Sequence, residues 1–172
     1  MENKEGNLYF CKINIIIGSI YIVKSDEGLR KIELIEEEWI KFKENNINLI
    51  EDEYKCKDVV DQINEYLDGK REKFDLKLDI KGTEFRKLVW KELNNIPYGE
   101  LKSYSYIANK IGKDKAVRSI GQANRSNPVP IIIPCHRVVG KSGKLLGYAG
   151  NHTDIQRKLI DFEKNTLKNN KK

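Results

Sequence analysis

From Leu8 the chain is dense in apolar, β-branched and aromatic residues, and the enrichment falls into three bursts. "LYFCKINIII", "SIYIVKS" and "GLRKIELIE" read as strands, with "SDEG" as the turn before the third. The period then changes. "EEEWIKFKENN" predicts a short helix. "DEYKCKDVVDQINEYLDG" predicts a better one, with Val59, Ile63, Tyr66 and Leu67 at helical spacing and Gly69 near its C-cap. "KFDLKLDI" alternates like a strand. "KGTEFRKLVWKELNNIPYGE" returns to helical spacing, with Thr83 as N-cap and an apolar stripe of Phe85, Leu88, Val89 and Leu93. Pro97 stops this helix and Gly99 turns the chain. In "SYSYIANKIGKDKAVRSIGQANRSNP" two short helices are separated by Gly112. The first is striped by Ile107, Ala108 and Ile111. The second runs from about Asp114 to Arg125 with Val117, Ile120 and Gly121 inward, and Ser103 and Asp114 cap the pair. Two short helices on a glycine turn, the second one basic, match a helix-turn-helix.

Composition adds a division to this pattern. The chain has 172 residues, 39% of them hydrophobic, enough for a packed core. Its net charge of +6 hides two opposite halves. Residues 1–78 carry 13 Lys and Arg against 18 Asp and Glu, a net −5; residues 79–172 carry 19 against 8, a net +11. The basic half has the electrostatic footprint of a polyanion binder, most simply nucleic acid, although a solvated lysine-rich surface would give the same count. The end of the chain, "KNTLKNNKK", predicts a frayed basic tail over 166–172. The longest apolar run, "PVPIIIP", is too short and too proline-rich to span a bilayer, and "MENKEGNLYF" has no leader pattern, so a soluble chain is expected. Three widely spaced cysteines argue against a disulfide framework and fit a reducing cytosol. Cys11 and Cys56 read as packed, inert thiols. With two histidines, His136 and His152, and no Cys-x-x-Cys pair, no metal site is expected.

One stretch resists the pattern. "IIIPCHRVVG" sets a thiol, an imidazole and a guanidinium in a run that should bury itself, where polar groups are costly unless partnered. A thiol is a useful nucleophile only as its thiolate, which needs a proton acceptor and a positive field. His136 and Arg137 supply candidates for both. Neighbouring side chains on extended backbone point to opposite faces. Either the chain turns sharply after Pro134, then, or a water bridges Cys135 and His136. The second ring nitrogen of His136 needs an acceptor, for which Glu163 and Asp161 are available. Alone, Cys135 reads as a small buried hydrophobe and His136 as a satisfied core histidine; together, beside a DNA-binding hairpin, they favour chemistry.

"IPCHRVVG", preceded by "NPVPIII" and followed by "GKLLGYAGN", closely resembles the active-site signature of the O6-alkylguanine-DNA alkyltransferases, the methylated-DNA–protein-cysteine methyltransferases. The likeness runs back to about Lys81 and forward to Glu163, while the acidic half resembles the family only in the order of its elements. The resemblance implies a small α/β, ribonuclease H-like N-terminal domain over 1–78. A mainly helical, winged-helix-like helix-turn-helix domain carrying the active-site cysteine would follow over 79–165. It implies irreversible, single-turnover transfer of the alkyl group to Cys135, without cofactor or metal. His136 then resembles the base acting through a water, and Glu163 the residue orienting it. Tyr104 resembles the tyrosine that helps guanine leave, and Asn127 the asparagine tying the helix-turn-helix to the active-site segment. Tyr148, Pro130 and Ala149 would line the guanine pocket, and the carbonyls of Cys135 and Val138 would accept the exocyclic amine. The implied partner is double-stranded DNA, entered through the minor groove largely without regard to sequence, by a cytoplasmic monomer with no membrane association. Arg118 would fill the space of the flipped base. Ser119, Gly121, Gln122 and Ala123 would face the groove, and Arg125 would meet phosphate.

The likeness has departures. Ala149 stands where a serine is frequent, Gln156 where a lysine often sits, and "YAGNHTDI" is one residue longer than usual, so choosing Glu163 over Asp161 depends on that gap. Two other readings keep parts of the pattern. A DNA-binding regulator would not need Cys135. A cysteine hydrolase using Cys135, His136 and Glu163 would turn over and leave Arg118 and Tyr104 without a role.

Overall fold

The computed structural model describes residues 6–149 and 151–172, so the first five residues of the segment read for a leader, and Gly150 of the long loop, lie outside the described residues. The chain forms two compact units, Met1–Lys81 and Gly82–Lys172. The first is built on a four-stranded sheet in the order β3-β2-β1-β4. Strands β1 (Leu8–Ile15), β2 (Gly18–Ser25) and β3 (Gly28–Glu33) pair antiparallel, and β4 (Leu49–Glu51) adds parallel to β1. Helix α1 (Glu36–Glu44) buries Trp39 against Phe10 and Tyr21, the Tyr21 ring stacking on it at 4.3 Å between centroids. Helix α2 (Lys57–Leu67) buries Val59, Ile63 and Tyr66. Among the described residues, none of this unit's fully buried side chains is charged; the interior is apolar, aromatic or thiol.

One expectation fails here, and one element was not expected. "KFDLKLDI" forms no strand: it crosses β3 with one bridge, Leu29 to Leu78, held by two backbone hydrogen bonds of 2.8 Å to Lys77 and Asp79. The chain can approach so closely because Gly28 lacks a Cβ, which would overlap the Lys77 carbonyl. Conversely, β4 lies in a polar stretch whose three residues were too short to show a period.

The second unit is helical. Helix α3 (Glu84–Leu93) starts at Thr83, whose hydroxyl accepts from the Arg86 N–H at 3.2 Å. Its buried face is Val89, Trp90 and Leu93, whereas Leu88 is exposed, so the expected stripe is rotated toward the tryptophan. Helix α4 (Tyr104–Lys110) is capped by Ser103, and Gly112 turns the chain with φ +68°. A 3-10 turn (Asp114–Ala116) leads into α5 (Val117–Arg125). Asp114 does not cap this helix; its carboxylate accepts from Asn109 in the turn. The inner face of α5 is Ile120, Ala123 and Asn124, with Val117 exposed. Strands β5 (Lys102–Ser103) and β6 (Val138–Val139) form a short parallel pair. Helix α6 (Thr153–Asn170) continues through the segment expected to fray, because Leu167 packs on Gly99, where a Cβ would overlap it. Among the described residues no helix is long and apolar enough to cross a membrane.

Candidate functional site

The apolar run before Cys135 is bent rather than extended. Ile131 sits at φ +74°, a conformation costly for a β-branched residue, and is held there with 1% exposure. Pro134 makes the tight turn (φ −80°, ψ 62°), with the Cys135 N–H donating to the Ile133 carbonyl at 2.8 Å. Cys135–Arg137 then form a single 3-10 turn. The sharp bend after Pro134 is therefore real, but successive side chains on such a turn still diverge by about 120°.

Asparagines fix the bend. Asn127 Nδ2 donates to the Ile133 carbonyl at 2.8 Å while its Oδ1 accepts from the Val129 N–H. Asn124, on the inner face of α5, donates to the Cys135 carbonyl at 3.3 Å. From α6, Gln156 donates to the carbonyls of His136 and Val138 at 3.2 and 2.9 Å. The sequence reading passed over Asn124, although its helical phase with Ile120 and Ala123 marks it as inward. Gln156 had drawn notice only as a departure; it is 1% exposed and binds the turn to α6.

Behind the thiol lies a buried charge cluster. His136 Nε2 is 2.7 Å from Glu163 Oε1, both side chains essentially without exposure. Arg137 grips the same carboxylate with two bonds, Nε to Oε2 at 2.9 Å and NH2 to Oε1 at 2.8 Å. Its third arm donates to the Ile96 carbonyl at 2.7 Å, and its guanidinium lies over the Tyr98 ring. The Gly99 N–H completes the shell on Oε2 at 3.1 Å. Burial pushes the Glu163 carboxyl up, but His136 and Arg137 outweigh it and hold the group well below the ordinary carboxylate range. An ionised Glu163 accepts from Nε2–H, which turns Nδ1 away from the carboxylate. Nδ1 is buried and, among the described residues, meets no hydrogen-bonding group. Arg137, read from sequence as a field for the thiol, is committed to Glu163 instead. Asp161, the other candidate acceptor, is exposed.

Burial pushes the Cys135 thiol up to about 11, against the opposing hydrogen bonds of the Asn127 and Tyr148 side chains and of the nearby backbone N–H groups. The thiol is therefore protonated at neutral pH until a base takes its proton.

The opposite side is formed by Tyr104 and the segment 146–149. The Tyr104 hydroxyl donates to the Leu146 carbonyl at 3.2 Å, and its ring lies over Gly121. Burial raises its pKa; the nearby Arg125 opposes this and Cys135 adds to it. Gly147 (φ +62°) leaves room for the Arg125 guanidinium, 3.0 Å from where a Cβ would stand, and Ala149 adopts φ +43°. Tyr148 and Pro130 are buried and Ala149 is half-buried. On α5, Arg118, Ser119, Gln122 and Arg125 are exposed along one face with Gly121 half-buried among them. Ala123 does not belong to that face: it is 1% exposed, and its carbonyl accepts from Trp90 Nε1 at 2.8 Å. The helical phase places it with Ile120 inside, which corrects the expectation that it faces a groove.

Comparison with known proteins places both units. Residues 8–80 match the family model of the 6-O-methylguanine DNA methyltransferase, ribonuclease-like domain, and residues 84–165 that of the 6-O-methylguanine DNA methyltransferase, DNA binding domain. The chain is 39% identical to the constitutive methylated-DNA–protein-cysteine methyltransferase of Bacillus subtilis, over 93% of this chain and 98% of that one. It is 42% identical to the methylated-DNA–protein-cysteine methyltransferase of Methanosarcina barkeri, over 94% and 100%. Among solved structures it is similar to Mycobacterium tuberculosis O6-methylguanine methyltransferase (TM-score 0.83, 38% identity, 92% of this chain and 94% of that one). It is also similar to the OGT of the same organism in complex with DNA (TM-score 0.80, 37% identity, 93% and 94%).

Proposed function

The chain belongs to the 6-O-methylguanine DNA methyltransferase family, and we infer that it repairs DNA by moving the alkyl group from O6 of guanine to its own Cys135. The observation that carries the assignment of roles is the buried His136–Glu163 pair at 2.7 Å directly behind the turn that bears the thiol.

Neutral His136, its Nε2–H held by ionised Glu163, takes the Cys135 proton at Nδ1. Because the two side chains diverge on the turn, the proton crosses through one water. The imidazolium that forms is stabilised by a carboxylate already ionised and held by Arg137. The thiolate sulfur attacks the alkyl carbon in line; the S–C bond forms as the C–O6 bond breaks and its electron pair goes to guanine. Tyr104 donates its hydroxyl proton toward N3 of the leaving base, exchanging its bond to the Leu146 carbonyl for one to the substrate. The thioether is stable and His136 has no path to regenerate the thiol, so each molecule acts once.

The alkyl carbon is out of reach inside a duplex, so the nucleotide must be flipped out, at a cost of a few kcal/mol. In this reading α5 enters the minor groove, Arg118 fills the vacated stack, and Ser119, Gly121 and Gln122 allow close approach. Arg125 sits between phosphate and the pocket, since its guanidinium packs on Gly147. Tyr148, Pro130 and Ala149 line the guanine pocket. The carbonyls of Cys135 and Val138 accept the exocyclic amine, the latter while also holding Gln156. The protein acts as a monomer in the cytoplasm, where its three free thiols persist.

The test is the intact mass after incubation with duplex DNA containing one O6-methylguanine. A stoichiometric gain of one methyl, absent in Cys135→Ala, is expected. An unchanged mass with tight DNA binding would replace the reaction by a regulatory role, and turnover beyond one equivalent would replace it by hydrolysis.

A further inference from the structure

Cys11 and Cys56 take no part in alkyl transfer, yet the first unit brings them together. Cys11 lies on β1 opposite Ile22 of β2. The Cys56 thiol, at the start of α2, reaches the Ile22 carbonyl at 3.9 Å and the sulfur of Cys11. Both are nearly without exposure, at 2% and 0%. They differ in access: Cys11 also lines a cavity of about 400 Å³ walled by Lys12, Tyr54, Lys57 and Val60, and Cys56 lies behind it.

Two thiols in contact, one open to a cavity and the other enclosed, can carry a two-step oxidation. The hydrogen bond from Cys56 favours the thiolate of Cys11, against burial and the Glu53 and Glu51 carboxylates, and the same contact with burial pushes the Cys56 thiol up. The sulfur that an oxidant entering the cavity meets first is therefore that of Cys11, with Cys56 enclosed behind it as the second thiol. We propose that Cys11 is a site of reversible oxidation by hydrogen peroxide, resolved by Cys56 into a disulfide joining β1 to the start of α2.

In the first step the Cys11 thiolate attacks one peroxide oxygen, forming S–O, breaking O–O and releasing hydroxide. The sulfenic acid is then attacked by the Cys56 sulfur; S–S forms, S–O breaks, and the Cys56 proton leaves with the hydroxyl as water. Two thiols are oxidised and one peroxide is reduced to two waters. A small thiol reductant reverses the linkage.

The experiment uses the full chain carrying Cys135→Ser, so that Cys11 and Cys56 are its remaining cysteines. Stoichiometric hydrogen peroxide should lower the intact mass by two hydrogens and yield a linked peptide joining Cys11 to Cys56. Both changes should disappear on adding a dithiol. Adding Cys56→Ser should halt the sequence at Cys11, captured as one dimedone adduct. The unsubstituted chain, mapped peptide by peptide, should give the same linkage. Oxygen added at Cys11 without a link, linkage between two molecules, or thiols that stay unreacted until the protein is unfolded would each overturn the proposal.

Discussion

The two units solve the problem of an interior differently. Among the described residues the buried charged and amide side chains, Asn124, Asn127, His136, Arg137, Gln156 and Glu163, all belong to the second unit. The first closes over Ile20, Ile22, Val23, Leu29, Val59 and Ile63, and keeps its ion pairs out of that interior, some exposed, such as Lys57–Asp61 and Lys41–Glu38, and some half-buried, such as Arg30–Asp79. An apolar interior is the cheaper route to a stable fold, because buried ions cost more to desolvate than they return unless every bond is made. The second unit carries that cost where it has chemistry to perform: the buried polar side chains bind the turn at Cys135, directly or through one another. Charge follows the same division, with the acidic half paired on its surface and the basic face of α5 left open toward a polyanion.

Glu163 is where this contrast breaks hardest. Glu163→Ala strands the Arg137 guanidinium and the His136 ring in a dry interior, an expected loss of about 3–5 kcal/mol in denaturant unfolding. Glu163→Gln keeps the volume and separates stability from chemistry: alkyl transfer should slow while DNA binding is unchanged. A rate equal to that of the unsubstituted chain would remove Glu163 from the proton path.

The same residue gives the second unit an acid limit. Its carboxyl is depressed in the folded state, so its contribution is complete above the unfolded glutamate value of about 4.3 and is lost as pH falls through the folded value. Stability measured downward from pH 6 should begin to fall near pH 4, and the fall should be shallower in Glu163→Gln. Asp79 of the first unit is also depressed, its Ser25 and Arg30 bonds outweighing burial, but it is partly solvated and should contribute the smaller share.

Tyr104→Phe probes the pocket without touching the buried cluster. With the proton donor proposed above removed, transfer should slow by about a hundredfold, as read from single-turnover rates, with DNA affinity retained. In the first unit Ile63→Val should cost about 0.5–1.5 kcal/mol, with no dependence on pH and no effect on the transfer rate. An effect on that rate would mean the first unit does more than fold.

The same contrast decides how much could be read from the chain. Strands β1 to β3, both helices of the first unit and the helix-turn-helix follow from local periodicity, because an apolar interior writes its own pattern. Thr83 and Ser103 were visible as caps for the same local reason. The site was legible in part in its residue types: Cys135 and His136 stand out as groups that should not be buried without use, while Glu163 was one of two carboxylates available to the histidine. Their arrangement was not legible. The double grip of Arg137 on Glu163, the Gly99 N–H and the Gln156 bridge join residues far apart in sequence, and no local period encodes them. Ala123 was misplaced because smallness suggested a groove where helical phase dictated the core. The missing strand at "KFDLKLDI" has the opposite cause: alternation marks a half-buried chain, but a strand also needs a continuous neighbour.

The surface pairs of the first unit supply the smallest and cleanest contrast with the buried cluster of the second. Lys57 and Asp61 lie one helical turn apart on α2, 2.6 Å between charged atoms, with both side chains more than half exposed. Such a pair gains little in water and must hold two long side chains still, so Lys57→Met should cost only about 0.2–0.5 kcal/mol. Because the charges face solvent, that loss should vanish as salt rises toward 1 M, where screening acts within a few ångströms. The loss in Glu163→Ala should persist across the same series, since ions cannot enter between Glu163, His136 and Arg137. Measuring both variants at low and high salt therefore separates a solvated charge pair from a desolvated one in a single protein. Equal salt sensitivity would show that water reaches the carboxylate behind Cys135, and that the thiol is activated in a wet site rather than a dry one.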